Sequence, residues 1–197
     1  MPMTVSKTRD MLVDVARQLF ARMGVDNITM NDIAQASGKG RRTLYTYFKN
    51  KNEIYLAVVE SELSQLHRVL MDVSEKTLPA DEKLITFIYT RLDAIKALVF
   101  RNGTLRATFF RDIWRVEKVR KDFDVLEVKL LKNILDDGVK EGIFSMPDTE
   151  ITALVLHHAL KGLEVPYIRG VMGDSISKRI KRRDNVINLI FNGIKIK

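Results

Sequence analysis

The sequence predicts an all-α fold, with an N-terminal three-helix helix-turn-helix domain over 1–52 and a larger helical domain over 53–197. Three observations carry this. Apolar residues recur at three- and four-residue spacing along nearly the whole chain. The segments they mark are bounded by Gly, Pro and Asn-Gly breaks. No stretch shows the period-two alternation of a half-buried strand. With 197 residues, 46% hydrophobic and 29% charged, the chain can build a real core in one large or two small domains.

The elements follow in order. Met11, Leu12, Val15, Ala16, Leu19, Phe20 and Met23 form the stripe of a first helix, which Gly24 ends. Thr29 is a good N-cap for a second helix from Met30 to Ser37, with Asp32 adding negative charge at its start and Ile33 and Ala34 on its inner side. Gly38 stops it, where a left-handed residue costs little. A third helix runs roughly Arg41 to Phe48, and Leu44 and Phe48, four apart, can both face the core. Asn50 caps the next helix, with Glu53 at the capping-box position. That helix opens at Lys51, carries Ile54, Tyr55, Val58, Leu66, Val69, Leu70 and Val73, and breaks at Thr77-Leu78-Pro79-Ala80.

Further along, Leu84, Phe87, Ile88, Leu92, Ile95 and Val99 mark a helix from about Asp81 to Arg101, before the Asn102-Gly103 break. Helices over about Thr104 to Arg115 and Lys118 to Glu141 follow, the latter stopped by Gly142. Pro147-Asp148-Thr149 opens another, with Ile151, Leu154, Val155, His158, Ala159, Gly162 and Leu163 on one face. After a loop from Gly170 to Ser177, a final helix carries Ile176, Ile180, Ile187, Ile190, Phe191 and Ile194.

The window from Ile28 to Glu53 holds the densest chemistry. Packing Leu44 and Phe48 inward leaves Arg41, Arg42, Tyr45 and Thr46 on the other face of the third helix. Arg can grip guanine O6 and N7 with two parallel hydrogen bonds, and Thr offers a hydroxyl and a methyl. Lys39, Tyr45, Tyr47 and Lys51 can reach phosphates, which set register and carry no sequence information. The start of the third helix is also the positive end of its dipole. This is the equipment needed to place one helix in the major groove of DNA.

Charge agrees. The chain carries a net +8 with a pI near 9.7, which favours an anionic partner. Residues 1–52 hold nine Lys/Arg against four Asp/Glu, so the DNA-facing end is the more basic per residue. There is no cysteine, which excludes disulfides and thiol catalysis. No apolar run approaches the ~18 residues that span a bilayer, and the start MPMTVSKTRD lacks a signal-peptide core. A cytoplasmic location without membrane attachment is the default expectation. Catalysis has thin support, with no phosphate loop and no nucleophile elbow. The adjacent His157 and His158 point about 100° apart on a helix, so no metal site and no cofactor are expected.

The stretch from Thr29 to Glu53 resembles the DNA-binding domain of the tetracycline-repressor-like (TetR) family of bacterial transcription regulators. Phe20, Gly24, Thr29, Ile33, Ala34, Gly38, Thr43, Leu44, Tyr45, Tyr47, Phe48, Lys51 and Glu53 carry the resemblance, which covers about the first 55 residues. It implies a sequence-specific regulator, most simply a repressor, whose double-stranded DNA operator is palindromic. It also implies a homodimer whose C-terminal domain binds a small-molecule effector and releases DNA. The DNA-facing set on this reading is Thr29, Lys39, Gly40, Arg41, Arg42, Thr43, Tyr45, Thr46, Tyr47 and Lys51. The turn departs from the family pattern of an apolar residue, Ser, a variable residue and often Gly. This chain has Lys39, Gly40, Arg41 and Arg42, where Gly40 can cap at a modest cost relative to Ser.

For the dimer interface the resemblance points to the last two helices, with Leu154, Val155, Ala159, Gly162, Leu163, Ile180, Ile187, Ile190, Phe191 and Ile194. The alternative is that this stripe packs on its own domain. Met71, Phe87, Tyr89, Phe110, Trp114 and His158 are candidate lining of an effector pocket, and core packing is the competing role for each. Arg91, Arg101, Arg106, Arg111 and Arg115 read mostly as surface cations that would permit an anionic effector. The run Lys178, Arg179, Lys181, Arg182 and Arg183 reads as a solvated face. Two other functions stay open: a DNA-binding factor of this fold without an inducer, and a ligand-binding protein whose helix-turn-helix is vestigial.

Overall fold

Local chemistry sets where the helices start and stop. The computed structural model describes residues 7–101, 113–170, 188 and 190. Among them are seven helices and no strand: α1 (Lys7–Met23), α2 (Met30–Ala36), α3 (Arg41–Tyr47), α4 (Lys51–Ser74), α5 (Ala80–Arg101), α6 (Ile113–Lys140) and α7 (Thr149–Ile168). Asp148 caps α7, its Oδ1 accepting from the N–H of Glu150 at 2.8 Å and of Ile151 at 3.0 Å. α5 starts directly after Pro79, and its first N–H, on Ala80, donates to Glu141 Oε2 at 2.9 Å. That bond satisfies one of the donors a helix start leaves open.

The sequence placed a helix end near Arg115 and a new start near Lys118. α6 instead runs unbroken through both positions. Val116 and Glu117 contain neither Gly nor Pro, so nothing there interrupts the backbone. The first part of the expected Thr104–Arg115 helix lies outside the described residues. So do Phe110, Arg106, Arg111, Ile180, Ile187, Phe191, Ile194 and the basic run from Lys178 to Arg183. The side chains of Trp114 and Arg115 also lie outside them.

The chain divides into two units, Met1–Ser64 with Leu98–Lys121, and Gln65–Ala97 with Asp122–Lys197. The first unit therefore extends past the expected 52/53 division. The early part of α4 buries Ile54, Tyr55 and Val58 with Leu12, Ala16 and Phe20 of α1 and Ile33 of α2. Phe20 meets Tyr55 edge to face at 6.4 Å between ring centroids.

The second unit is built on Leu70, Val73, Leu84, Phe87, Ile88, Leu92, Leu131, Ile134, Leu135, Phe144, Ala153 and Leu160. Gly138 matters within it. A Cβ there would stand 2.1 Å from Phe144 Cδ2, and the Gly138 carbonyl accepts from the N–H groups of both Ile143 and Phe144. The chain after α6 thus folds back tightly against the helix it has just left.

Charge is buried in the second unit. Arg91, read above with the surface cations, is 1% exposed. Its position four residues after Phe87 and four before Ile95 puts it on the inner stripe of α5, and a charge so placed needs partners. Its Nε donates to Glu127 Oε1 at 2.5 Å and its Nη2 to Glu164 Oε1 at 2.8 Å. Glu127 Oε1 is also 2.9 Å from His157 Nδ1, and His157 Nε2 stands 3.4 Å from Asp124 Oδ1. Lys161 completes the chain, donating to Asp124 Oδ2 at 2.8 Å. The six groups link α5, α6 and α7.

Burial opposes protonation of His157, but hydrogen bonds to Asp124 and Glu127, and then their charges, outweigh it and raise its pKa to about 9. Burial likewise opposes ionisation of Glu127. The hydrogen bond to His157 and the charges of Arg91 and His157 win, and hold its pKa below the ordinary value.

A raised folded-state pKa means that the His157 contribution is complete below its ordinary value of 6.5 and is lost as pH rises toward about 9. The lowered Glu127 pKa works oppositely, and its contribution is lost in acid. In urea denaturation, the wild-type advantage over His157→Gln should be full at pH 6 and gone by about pH 9.5. An advantage that does not change over that range would contradict the ion-paired imidazolium.

Candidate nucleic-acid interface

The site is built from the first unit's shortest helices. At the start of α2, Thr29 and Asp32 form a reciprocal capping box. The Thr29 N–H donates to Asp32 Oδ2 at 2.8 Å, and Thr29 Oγ1 accepts from the Asp32 N–H at 3.2 Å. The Thr29 hydroxyl also donates to Asp32 Oδ2 at 2.7 Å. That hydroxyl, and then the backbone bond, holds the Asp32 carboxyl below its ordinary pKa. A negative charge is thereby fixed at the start of the helix.

Gly38 takes φ +63°, the left-handed conformation that ends α2 and turns the chain. The N–H of Lys39 returns to the carbonyl of Ala34 at 3.1 Å. Gly40 is the N-cap of α3 with φ −65° and supplies no side-chain bond. A Cβ there would meet nothing within 4 Å, so neither space nor backbone requires glycine at this position. Leu44 is fully buried and Phe48 nearly so. These two anchors fix the rotation of α3 about its axis.

That rotation turns Arg41, Arg42, Tyr45 and Thr46 outward, while Thr43 and Tyr47 are half-buried. Among the described residues, the side chains of Lys39, Arg42 and Tyr45 have no hydrogen-bond or ion-pair partner, and Tyr45 is 51% exposed. Thr46 spends its hydroxyl proton on the Arg42 carbonyl, 2.9 Å away, and keeps its methyl and acceptor capacity outward. Arg41 is held by Asn31, whose Oδ1 accepts from Arg41 Nε at 2.7 Å. Asn31 carries no signal in the sequence. Its place one turn ahead of a buried residue gave no sign that it would meet a side chain ten positions later.

Lys51 differs from the expected role. Its Nζ donates to the carbonyls of Val25, at 2.7 Å, and Asp26, at 3.2 Å. It ties the start of α4 to the loop after α1, satisfying carbonyls that no helix serves. The box at the start of α4 also closes differently. Asn50 Oδ1 accepts from the Glu53 N–H at 3.0 Å as expected, but Glu53 Oε2 reaches the N–H of Lys49, at 2.8 Å.

The candidate effector residues that are described differ in burial. Phe87 is fully buried in the core, Met71 is 37% exposed and Tyr89 is half-buried. His158 is exposed on the outer face of α7, while His157 is the buried histidine. α7 is apolar on both sides, so periodicity alone could not choose its inner face. The inner face carries Ala153, His157 and Leu160. The outer face leaves Ile151 and Val155 each 61% exposed and Leu154 47% exposed, with Ala159 and Gly162 also exposed. Leu163 and Ile190, expected at a dimer interface, pack partly buried against the core of their own unit. Their spacing fitted either role.

The tetR family of bacterial regulatory proteins matches residues 12–58. YhgD of Bacillus subtilis, an uncharacterized helix-turn-helix transcriptional regulator, is 23% identical over 148 residues, 75% of this chain and 78% of its own length. QacR of Staphylococcus aureus, also a helix-turn-helix transcriptional regulator, is 20% identical over 189 residues, 94% of this chain and 97% of its own. The crystal structure of a transcriptional regulator from Cytophaga hutchinsonii superposes with a TM-score of 0.74 at 22% identity, covering 95% of this chain and 98% of that one.

Lys51 carries a stability prediction. Lys51→Ala should lower unfolding free energy by about 1–2 kcal/mol, read by urea denaturation, because two carbonyls lose a charged donor. A variant as stable as wild type would show that these bonds are not made in solution.

Proposed function

We infer that the chain is a helix-turn-helix transcriptional regulator of the tetR family of bacterial regulatory proteins, whose model matches residues 12–58. We propose that it acts as a cytoplasmic, homodimeric repressor, released from a palindromic operator by a small molecule bound in the second unit. Among the described residues, no helix is long and apolar enough to cross a membrane.

One observation carries the DNA assignment: Lys39, Arg42 and Tyr45 stand outward around α3 with no intramolecular partner, beside an Arg41 held in place. Unpaired cations on a helix anchored from behind suit a groove lined with phosphates and base edges. Arg41 and Arg42 take the base edges, with Tyr45 beside them. Lys39 and Tyr47 take phosphates. Thr29 and Lys51 shape the frame through the bonds already described, and Gly40 and Thr43 let the backbone come close.

The dimer proposal rests on the outer face of α7. Ile151, Leu154 and Val155 form an apolar stripe, and the small Ala159 and Gly162 beside it allow close approach of a partner helix. A two-fold pair of first units presents two α3 helices to successive major grooves.

Release requires an effector that binds one spacing of those helices better than another. Within the first unit, Glu62 of α4, 6% exposed, accepts from Arg101 at the end of α5 and lies 3.8 Å from Arg17 Nε of α1.

Two experiments follow. Arg42→Ala should relax base preference at one position of each half-site. Lys39→Ala should weaken all sequences alike and reduce the salt-dependence slope by about 1. Equal, sequence-independent losses in both variants would overturn this division of labour. Separately, the double substitution Leu154→Asp and Val155→Asp should give a folded monomer in sedimentation, with greatly weakened operator binding. A persisting dimer would place the interface elsewhere.

A further inference from the structure

Arg41 is the member of the outward face with an intramolecular partner for its head group, and the partner's chemistry is specific. Asn31 lies in the first turn of α2, immediately after Met30. Its Oδ1 accepts from Arg41 Nε at 2.7 Å, and both side chains are exposed. A guanidinium is a rigid plane with five N–H donors, able to present either its side edge, with Nε, or its end, with the two Nη groups. A bond at Nε consumes the side edge and leaves the end fork free. That fork matches two acceptors on one rigid edge, which in the major groove means O6 and N7 of guanine.

We propose that Asn31 is a positioning residue for sequence recognition: by holding Arg41 through Nε across the α2–α3 turn, it commits Arg41 to end-on reading of one guanine in each half-site. The inference rests on Arg41 as a base-reading residue and adds what aims it.

Three features support the assignment. Asn31 is neutral, so it steers Arg41 without adding a charge that would repel phosphate. An ion pair in its place would stabilise the fork but oppose the DNA. Both anchors sit on elements fixed independently, α2 by its capping box and buried Ile33, and α3 by buried Leu44. The distance between them therefore does not depend on DNA. Holding a rotamer-rich side chain in its bound geometry removes an ordering cost from binding. The benefit goes to the base that fits the fork.

The test is a double-mutant cycle read on two duplex sets, the selected operator and the same operator with one base pair replaced at each successive half-site position. Asn31→Ala should cut discrimination at one G·C pair about three- to tenfold, with discrimination elsewhere and the salt slope unchanged. Arg41→Ala should abolish discrimination at that same pair. Asn31→Ala added to Arg41→Ala should then change nothing further, because Asn31 acts through Arg41. Asn31→Asp, which keeps the acceptor, should retain the preference for guanine while weakening all duplexes through its charge.

If Asn31→Ala costs the same with and without Arg41, Asn31 contacts DNA itself or serves only the fold, and the proposal fails. If it weakens all duplexes equally, the proposal fails as well. If instead Arg41→Ala leaves every base preference intact, Arg41 does not read a base, and the underlying assignment is what has failed. Thermal unfolding of each variant separates these outcomes from loss of structure, and the Asp variant repeats the test should the Ala variant unfold.

Discussion

The outward surface of α3 depends on how that helix is rotated and crossed against α2. Two constraints set this together. Gly38 in the left-handed conformation turns the chain within a few residues, and the buried Leu44 and Phe48 leave α3 one orientation in which its apolar positions are out of water. Arg41, Arg42 and Tyr45 face outward because of what lies behind them. The surrounding bonds make that arrangement rigid. The Thr29–Asp32 box fixes where α2 begins, and Lys51 ties the loop after α1 to the start of α4.

The second unit solves a different problem. Its helices are apolar enough to pack in several ways, and α7 offers an apolar surface on both sides. The ion-paired row of Arg91, Glu127, Glu164, His157, Asp124 and Lys161 discriminates among these packings, because any other rotation of α5, α6 or α7 would strand a buried charge. The row therefore fixes which face of α7 is inner and leaves Ile151, Leu154 and Val155 outside. A face so apolar is costly to leave in water, and that is the physical argument for a second copy.

Much of the first unit could be read in the sequence because its determinants are local. Thr29 with Asp32, Gly38, and Leu44 with Phe48 act within four residues of one another, and each signal means the same thing in a peptide as in the fold. Elements decided by distant contacts were not readable. Arg91 looked like a surface cation until α6 and α7 supplied its carboxylates. His157 and His158 are adjacent, and only the packing of α7 tells the buried one from the exposed one. Lys51 matched a phosphate-contacting position, but its closest acceptors are carbonyls some 25 residues earlier. Asn31 gave no sequence signal because its partner lies on another helix. Bulk and aromaticity describe the lining of an effector pocket and the packing of a core equally well.

The central claim is that this protein reads DNA sequence as a two-fold dimer through α3. Selection of bound duplexes from a random library at about 0.15 M salt, where non-specific phosphate binding is reduced, tests it most directly. The account predicts a palindrome whose half-sites lie about one helical turn, or a multiple of it, apart. Recovery of no enriched sequence, or of a single unpaired half-site, would contradict it.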